Sequence, residues 1–155
     1  MPNVPVAVER YLSAKRIAVA GVSRASSSPA NAIFRRLRET GHEPIPLNPN
    51  ATALEGEKCY PSIEMVPGPI EALMVVTHPA ASESVVRSAL ALGITQVWFH
   101  RSFGDGSVSE QAIAACRAAG VEPIVGGCPL MYCGAIDPAH RVFRWWLTLK
   151  RRVPV

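Results

Sequence analysis

The run Gly21-Val22-Ser23-Arg24-Ala25-Ser26-Ser27-Ser28 holds one glycine, four hydroxyls and one guanidinium, with no carboxylate among them. The chemistry such a set performs is anion binding. Glycine admits close backbone approach, hydroxyls donate, and an arginine fork grips phosphate oxygens bidentately. Ser28 before Pro29 reads as a helix start, serine capping and proline in the first helical position. The N–H groups of Ala30, Asn31, Ala32 and Ile33 and the positive end of the helix dipole then face the same loop. Such a loop is by itself as often a solvated turn; its place directly after an apolar run favours binding.

Other reactive side chains also follow apolar runs. His78 and His100 do so, and both read as polar lining or hydrogen-bonded loop residues in preference to catalysts. Cys128 and Cys133 lie beyond the last run, where one could exchange with a bound thiol, although free cysteine is more often a small buried hydrophobe. Together with His140 they lack the paired-ligand spacing of zinc modules. Asp105-Gly106 reads as a turn, Glu110 as a helix cap and Asp137-Pro138 as a loop, so no pair of carboxylates suggests hydrolysis. A binding role without catalysis is the expectation.

Elements that could position these residues are visible as apolar runs. Arg16–Val22, Ala72–Thr77, Gln96–His100 and Glu122–Gly126 are near-continuously apolar, as strands buried on both faces are. Glu43–Leu47 is a fifth strand, with two prolines that remove ladder donors. Helices are expected over Ala30–Thr40, Ser82–Leu92 and Ser107–Ala119, each followed by a glycine (Gly41, Gly93, Gly120) of the kind that ends helices at αβ joints. Ser107-Val-Ser-Glu110 reads as a capping box. Short helices are expected over Val6–Ser13 and Ala139–Arg152.

The turn-rich stretch Asn48–Gly68 suggests a short edge strand near Lys58–Tyr60, giving a sheet order of 3-2-1-4-5-6. The fold class is α/β, a Rossmann-like doubly wound, mainly parallel sheet of five or six strands with helices on both faces. In such sheets ligands bind beyond the carboxyl ends where strand order reverses, here between the loops after Val22 and Val76.

The 155 residues suit one domain, 48% hydrophobic and 18% charged, a globular composition. No apolar run approaches the ~20 residues of a membrane span. The N-terminus lacks a secretory pattern and the four cysteines lack a C-x-x-C pair, so a cytoplasmic location with reduced thiols is expected. Net charge is +4 and pI about 9.1, with the excess concentrated in Arg141, Arg144, Lys150, Arg151 and Arg152. A basic balance of this kind suits a small anionic ligand as well as a polynucleotide, and no nucleic-acid partner is expected.

A nicotinamide dinucleotide site needs G-x-G-x-x-G and an acidic residue closing the second strand. Only Gly21 is present, and the second strand ends in Leu47-Asn48-Pro49-Asn50. No Walker A loop occurs either. Taken together, Ile17-Ala-Val-Ala-Gly-Val-Ser23, Pro46-Leu-Asn-Pro-Asn50 and Gly56-Glu-Lys-Cys-Tyr-Pro-Ser62 resemble the small coenzyme A-binding domains related to those of succinyl-CoA synthetase and ADP-forming acyl-CoA synthetases, over about residues 14–130.

That resemblance implies coenzyme A or an acyl-CoA as ligand. It implies Gly21, Val22, Ser23 and Arg24 at the diphosphate or 3′-phosphate, with Ser28 and Asn31 at the helix start beside them. Asn48, Pro49 and Asn50 would line the adenosine end, Thr77, His78 and Pro79 would border the pantetheine, and Tyr60, Pro61 and Ser62 of the third matching segment are further cofactor-binding candidates. The loop His100-Arg101-Ser102 would close over the thiol end. His78 and the Cys128–Tyr132 ending depart from the family pattern. An NAD(P)-type oxidoreductase, or an acyl-CoA enzyme subunit needing a partner, is the enzymatic alternative.

The last helix places Val142, Trp145, Trp146 and Leu149 along one side. Packing over the sheet or contact with a second copy in a homodimer is the expectation for that face. The further alternative is a basic adaptor that acts on a membrane or nucleic acid through this helix.

Overall fold

The computed structural model describes residues 4–101, 106–136 and 138–150. Ser102, Asp105, Asp137, Arg151 and Arg152 lie outside them. In chain order the elements are α1 (Val6–Leu12), β1 (Arg16–Ala20), α2 (Pro29–Glu39), β2 (Glu43–Leu47), β3 (Ala53–Leu54), β4 (Glu57–Lys58), β5 (Ala72–Val75), α3 (Pro79–Ala91), β6 (Gln96–Phe99), α4 (Glu110–Ala118), β7 (Ile124–Val125) and α5 (Pro138–Leu149). Five strands form a parallel sheet ordered β2-β1-β5-β6-β7. The chain leaves β1 toward β2 and returns to β5 on its other side, so the order reverses between β1 and β5.

Strand residues alternate between two buried layers. Ile17, Val19, Met74 and Trp98 pack with α1 and α2, through Val8, Tyr11, Ile33, Phe34 and Leu37. Ala18, Ala20, Leu73, Val75, Val97 and Phe99 pack with α3 and α4, through Val86, Ala89, Ala112 and Cys116. Burial on both faces is why these runs are apolar throughout instead of alternating with polar residues. Trp98 organises the first layer. Its ring meets Tyr11 edge-on at 5.2 Å and Tyr132 at 5.8 Å, and its indole N–H donates to the Gly126 carbonyl at 2.9 Å. The expected αβ joints are present: after α2, α3 and α4 the N–H groups of His42, Ile94 and Val121 close back onto Leu37, Ala89 and Cys116, the bonds that a left-handed glycine between them permits.

Three expectations change. The strand near Lys58–Tyr60 does not join the main sheet as a sixth strand. Glu57–Lys58 instead pairs antiparallel with Ala53–Leu54, around Glu55 and Gly56 at φ of 53° and 78°, the left-handed pair of a tight hairpin turn. Only Tyr60 reaches the main sheet, as one parallel bridge to Leu47. The reason lies in β2: Glu43 N–H donates to Lys15 of the chain entering β1, so by alternation Pro44 and Pro46 turn outward. With no N–H at either position, the free edge offers too few donors for a further strand.

The capping box also shifts. Ser109, not Ser107, caps α4, accepting from the Ala112 N–H. Ser107 is buried, and its hydroxyl lies 2.6 Å from the Val75 carbonyl and 2.8 Å from that of His100.

Finally, α5 does not lay its aromatic stripe on the sheet. Val142, Trp145, Trp146 and Leu149 are 63%, 65%, 41% and 64% exposed, while Leu147 is 1% exposed and inserts into the first layer.

Candidate functional site

At the reversal point the two loops touch. Gly21 follows β1 with φ of 110°, and a Cβ there would stand 2.6 Å from the Val76 carbonyl oxygen. Glycine is therefore required first by the approach of the loop after β5, whatever a ligand adds. Around this contact opens a cleft of about 630 Å³, within the usual size for small-molecule sites. Two helix N-termini border it. α2 begins Ser28-Pro29-Ala30 and α3 begins His78-Pro79-Ala80, each with proline where its missing N–H is harmless.

At α2 the Asn31 N–H is taken by the Ser28 hydroxyl oxygen and the Ala32 N–H by the Ser28 carbonyl. That leaves Ala30, on the cleft wall, with the open donor of the turn. At α3 the Ala80 N–H donates to His78 Nδ1 at 3.3 Å. With Nδ1 accepting, the neutral ring carries its proton on Nε2.

Of the residues expected at a site, Gly21, Ser28, Thr77, His78 and His100 line this cleft, together with Ser27, Ala30, Ser107, Cys128, Leu130 and His140. Pro49, Pro61 and Ser62 line a second, smaller cavity of about 260 Å³ with Leu47, Ile63 and Val85, and Thr77 borders both. The turn after β2 and the Tyr60-Pro-Ser62 segment thus meet at one place, beside the main cleft.

The remaining expected residues line neither cavity. Val22 is fully buried in the core. Tyr60 forms the bridge on the β2 edge, Pro79 opens α3, and the Arg101 N–H donates to the Gly127 carbonyl. Asn48 and Asn50 join the two ligand-edge loops: Asn48 Nδ2 donates to the Val22 carbonyl at 2.9 Å, Asn50 N–H donates to Asn48 Oδ1 at 2.8 Å, and the exposed Arg24 guanidinium donates to the Asn50 carbonyl at 2.8 Å.

Asn31 is buried beneath the loop and clamps it. Its Oδ1 accepts from the Ser23 N–H (3.0 Å) and the Ser28 hydroxyl (2.6 Å); its Nδ2 donates to the Ser23 carbonyl (2.8 Å) and to Glu55 Oε1 (2.7 Å). Glu55 is in turn paired with Arg35 at 2.7 Å, so the hairpin turn helps to shape the loop. Asn31→Ala strips partners from several half-buried groups at once, and roughly 2–3 kcal/mol of stability should go with it. Urea denaturation checks this; a loss under about 0.5 kcal/mol would show that the clamp is dispensable.

On the far side a chain of hydroxyls ties the wall together. Ser82 Oγ lies 3.0 Å from Thr77 Oγ1 and donates to the Ser107 carbonyl at 2.8 Å, while Ser107 spans to the ends of β5 and β6. His100 is 9% exposed, and burial pushes its pKa down to about 4, so the ring is neutral at pH 7. Burial raises the Cys128 thiol to about 12 and Cys133 to about 11. Burial thus disfavours the thiolate form of both at neutral pH.

Ser27, one of the hydroxyls of the loop after β1, does line the cleft, whereas Ser107, Leu130 and His140 line it without having been expected there. For Ser107 a signal existed: Ser109-x-x-Ala112 competes with Ser107-x-x-Glu110 as a helix start, and the losing serine is free for another task. For Leu130 and His140 no local signal existed, since both arrive by the chain folding back after β7.

An open parallel sheet with its cleft at the strand-order reversal, between two helix N-termini, defines a Rossmann-like domain. The family described as "CoA binding domain" matches residues 15–134, and the chain belongs to that family. It is 26% identical over 114 residues, covering 74% of this chain and 82% of the relative, to the uncharacterized protein YneT of Bacillus subtilis strain 168. Among solved structures it is similar to Prb, the PH1109 protein redesigned for binding, at 30% identity and a TM-score of 0.72 over 79% of this chain and 83% of that one. The same fold recurs in an acetyl-coenzyme A synthetase from Ca. Korarchaeum cryptofilum, at 23% identity and a TM-score of 0.62, where 72% of this chain spans 26% of the larger protein. Among the described residues, no helix is long and apolar enough to cross a membrane.

Proposed function

We propose that the protein binds coenzyme A or an acyl-CoA along the carboxyl edge of the sheet, as a binding or sensing protein without catalysis of its own. The observation that carries this reading is the pairing of two cavities across Thr77, one beside Pro49, Pro61 and Ser62, the other between the starts of α2 and α3. Such a layout suits an elongated ligand with a flat nucleoside end, a charged middle and a long thin arm. Pro49, Pro61 and Ser62 would hold the adenosine. Ser23, Arg24, Ser28 and the Ala30 N–H would hold the phosphates, helped by the dipole of α2. Thr77, His78, His100 and Leu130 would flank the pantetheine arm. The absence of catalysis is supported by the state of the cleft groups: His100 is buried and neutral, His78 spends Nδ1 on its helix, and Cys128 keeps its proton.

Thermal shift with CoA, acetyl-CoA, NAD, NADP and ATP tests this. A ligand at 100 times its dissociation constant stabilises by about 2.7 kcal/mol. CoA and acetyl-CoA should shift the transition; no shift with CoA, or a larger one with NADP, overturns the reading. Arg24→Ala should weaken CoA about 10- to 100-fold, the loss of a charge-assisted phosphate contact, and leave pantetheine affinity unchanged. Equal losses for both would remove Arg24 from the phosphate site.

A further inference from the structure

The chain's positive charge is not spread over its surface. Of 16 Lys and Arg and 12 Asp and Glu, five of the basic and none of the acidic residues fall in 138–155. The rest of the chain therefore carries 11 basic against 12 acidic residues, and the whole net excess resides in α5 and the residues after it. The family match ends at residue 134, so this segment lies outside the part that carries the ligand cleft's family signature.

The structure shows which way that helix faces. Leu147 is buried, and the half-buried Arg144 holds its guanidinium over the Tyr132 ring at 4.5 Å. These two contacts set the inward side. At 3.6 residues per turn, Val142, Trp145, Trp146 and Leu149 fall within about 100° on the opposite side, and all four are exposed. Arg141 and Lys150, both exposed, lie on the two flanks of that arc. The helix thus presents two indoles and two aliphatic side chains at its outer crest with a cation along either shoulder.

We infer that α5 docks the protein on an anionic lipid surface, lying in the plane of the headgroups. A helix of 12 residues is too short to span a bilayer, but its crest suits the interface: tryptophan favours headgroup depth, aliphatic side chains reach the acyl boundary, and flanking cations meet lipid phosphates. A second copy fits less well. A two-fold pairing of α5 against α5 would set the same cations against each other in a segment that holds no carboxylate to neutralise them. Polynucleotide fits less well too, because the crest that would meet the phosphates is apolar and the charges stand to its sides.

The test uses the full chain without ligand, so it stands or falls independently of the coenzyme A reading. Sedimentation with vesicles of phosphatidylcholine alone, and of phosphatidylcholine with roughly one-third phosphatidylglycerol, should show binding to the second only, weakened by salt. Trp145→Ser with Leu149→Ser should abolish it. Arg141→Gln with Lys150→Gln should weaken it about 30-fold, at about 5-fold per removed charge. Both variants should keep the wild-type Tm, since all four side chains are exposed. Equal binding to neutral vesicles overturns the inference, as does absence of binding to the anionic vesicles; reversible dimerisation lost in the Trp145→Ser, Leu149→Ser variant, or retention on a short duplex DNA, would then assign the face to a second copy or to nucleic acid.

Discussion

Gly21→Ala should lower stability by roughly 3–5 kcal/mol, a drop in Tm on the order of 10 °C for a domain of this size. Two costs combine. At φ of 110° a side-chain-bearing residue is strained, and its Cβ would stand 2.6 Å from a backbone carbonyl oxygen and 2.8 Å from the carbonyl carbon of Val76. Neither atom can swing away, because the Val76 N–H is tied to the Ala20 carbonyl at 2.9 Å, and relief requires β1 and β5 to separate at their carboxyl ends. Gly56→Ala is the internal control: its φ is 78° and nothing lies within 4 Å of the added carbon, so it should cost only about 1 kcal/mol. Thermal or urea denaturation of the two variants gives the difference directly. Equal losses would mean that the loop contact is not what demands glycine. Because the same contact forms the cleft floor, Gly21→Ala should also lose ligand-induced stabilisation.

Stability should fall by about 3 kcal/mol as pH drops from about 6.5 toward about 4, and His100 is the group responsible. Its pKa is pushed down to about 4 in the folded protein, against about 6.5 for an exposed histidine, and each unit of difference is worth 1.36 kcal/mol. The sign follows from proton counting. Between those pH values the unfolded chain binds a proton at this position and the folded protein does not. Acid therefore favours unfolding; the full stability is present above about pH 6.5 and is lost as pH falls to about 4. His100→Gln removes the titration and should flatten the profile in that window. Glu64, Glu71 and Glu122 have carboxyls held below the usual range by hydrogen bonds. Their loss sets in below about pH 4.5 in wild type and variant alike, so it does not imitate the histidine. A profile that keeps its slope between pH 5 and 6.5 in His100→Gln would place the effect elsewhere.

Much of the scaffold is local in origin and so can be read along the chain. Runs such as Ile17–Ala20 and Leu73–Val75 are apolar at every position because both sheet faces are covered, and that pattern survives any detail of packing. Ser28-Pro29 starts a helix, and Gly41, Gly93 and Gly120 end helices, through bonds to residues within one turn. Once those elements alternate as strand and helix, the place of the site at the carboxyl edge follows from topology, and with it Gly21, Ser28, Thr77, His78 and His100.

What the tertiary structure alone decided concerns partners that are remote in sequence. Leu130 and His140 reach the cleft only because the chain folds back after β7, and Ser107 leaves its helix because the ends of β5 and β6 offer buried carbonyls. Asn31 becomes a clamp because Glu55, in a hairpin turn, comes within 2.7 Å. The prolines of β2 announce lost donors, but only the register against β1 turns them outward and reduces the next strand to one bridge at Tyr60. The last helix is the plainest case. Its sequence determines that one side is apolar, since periodicity depends only on the 3.6-residue turn. A helix can be rotated about its axis without altering that period, so no periodicity says which side faces the sheet. The pocket that receives Leu147 and the ring beneath Arg144 decide it, and they turn the tryptophans outward.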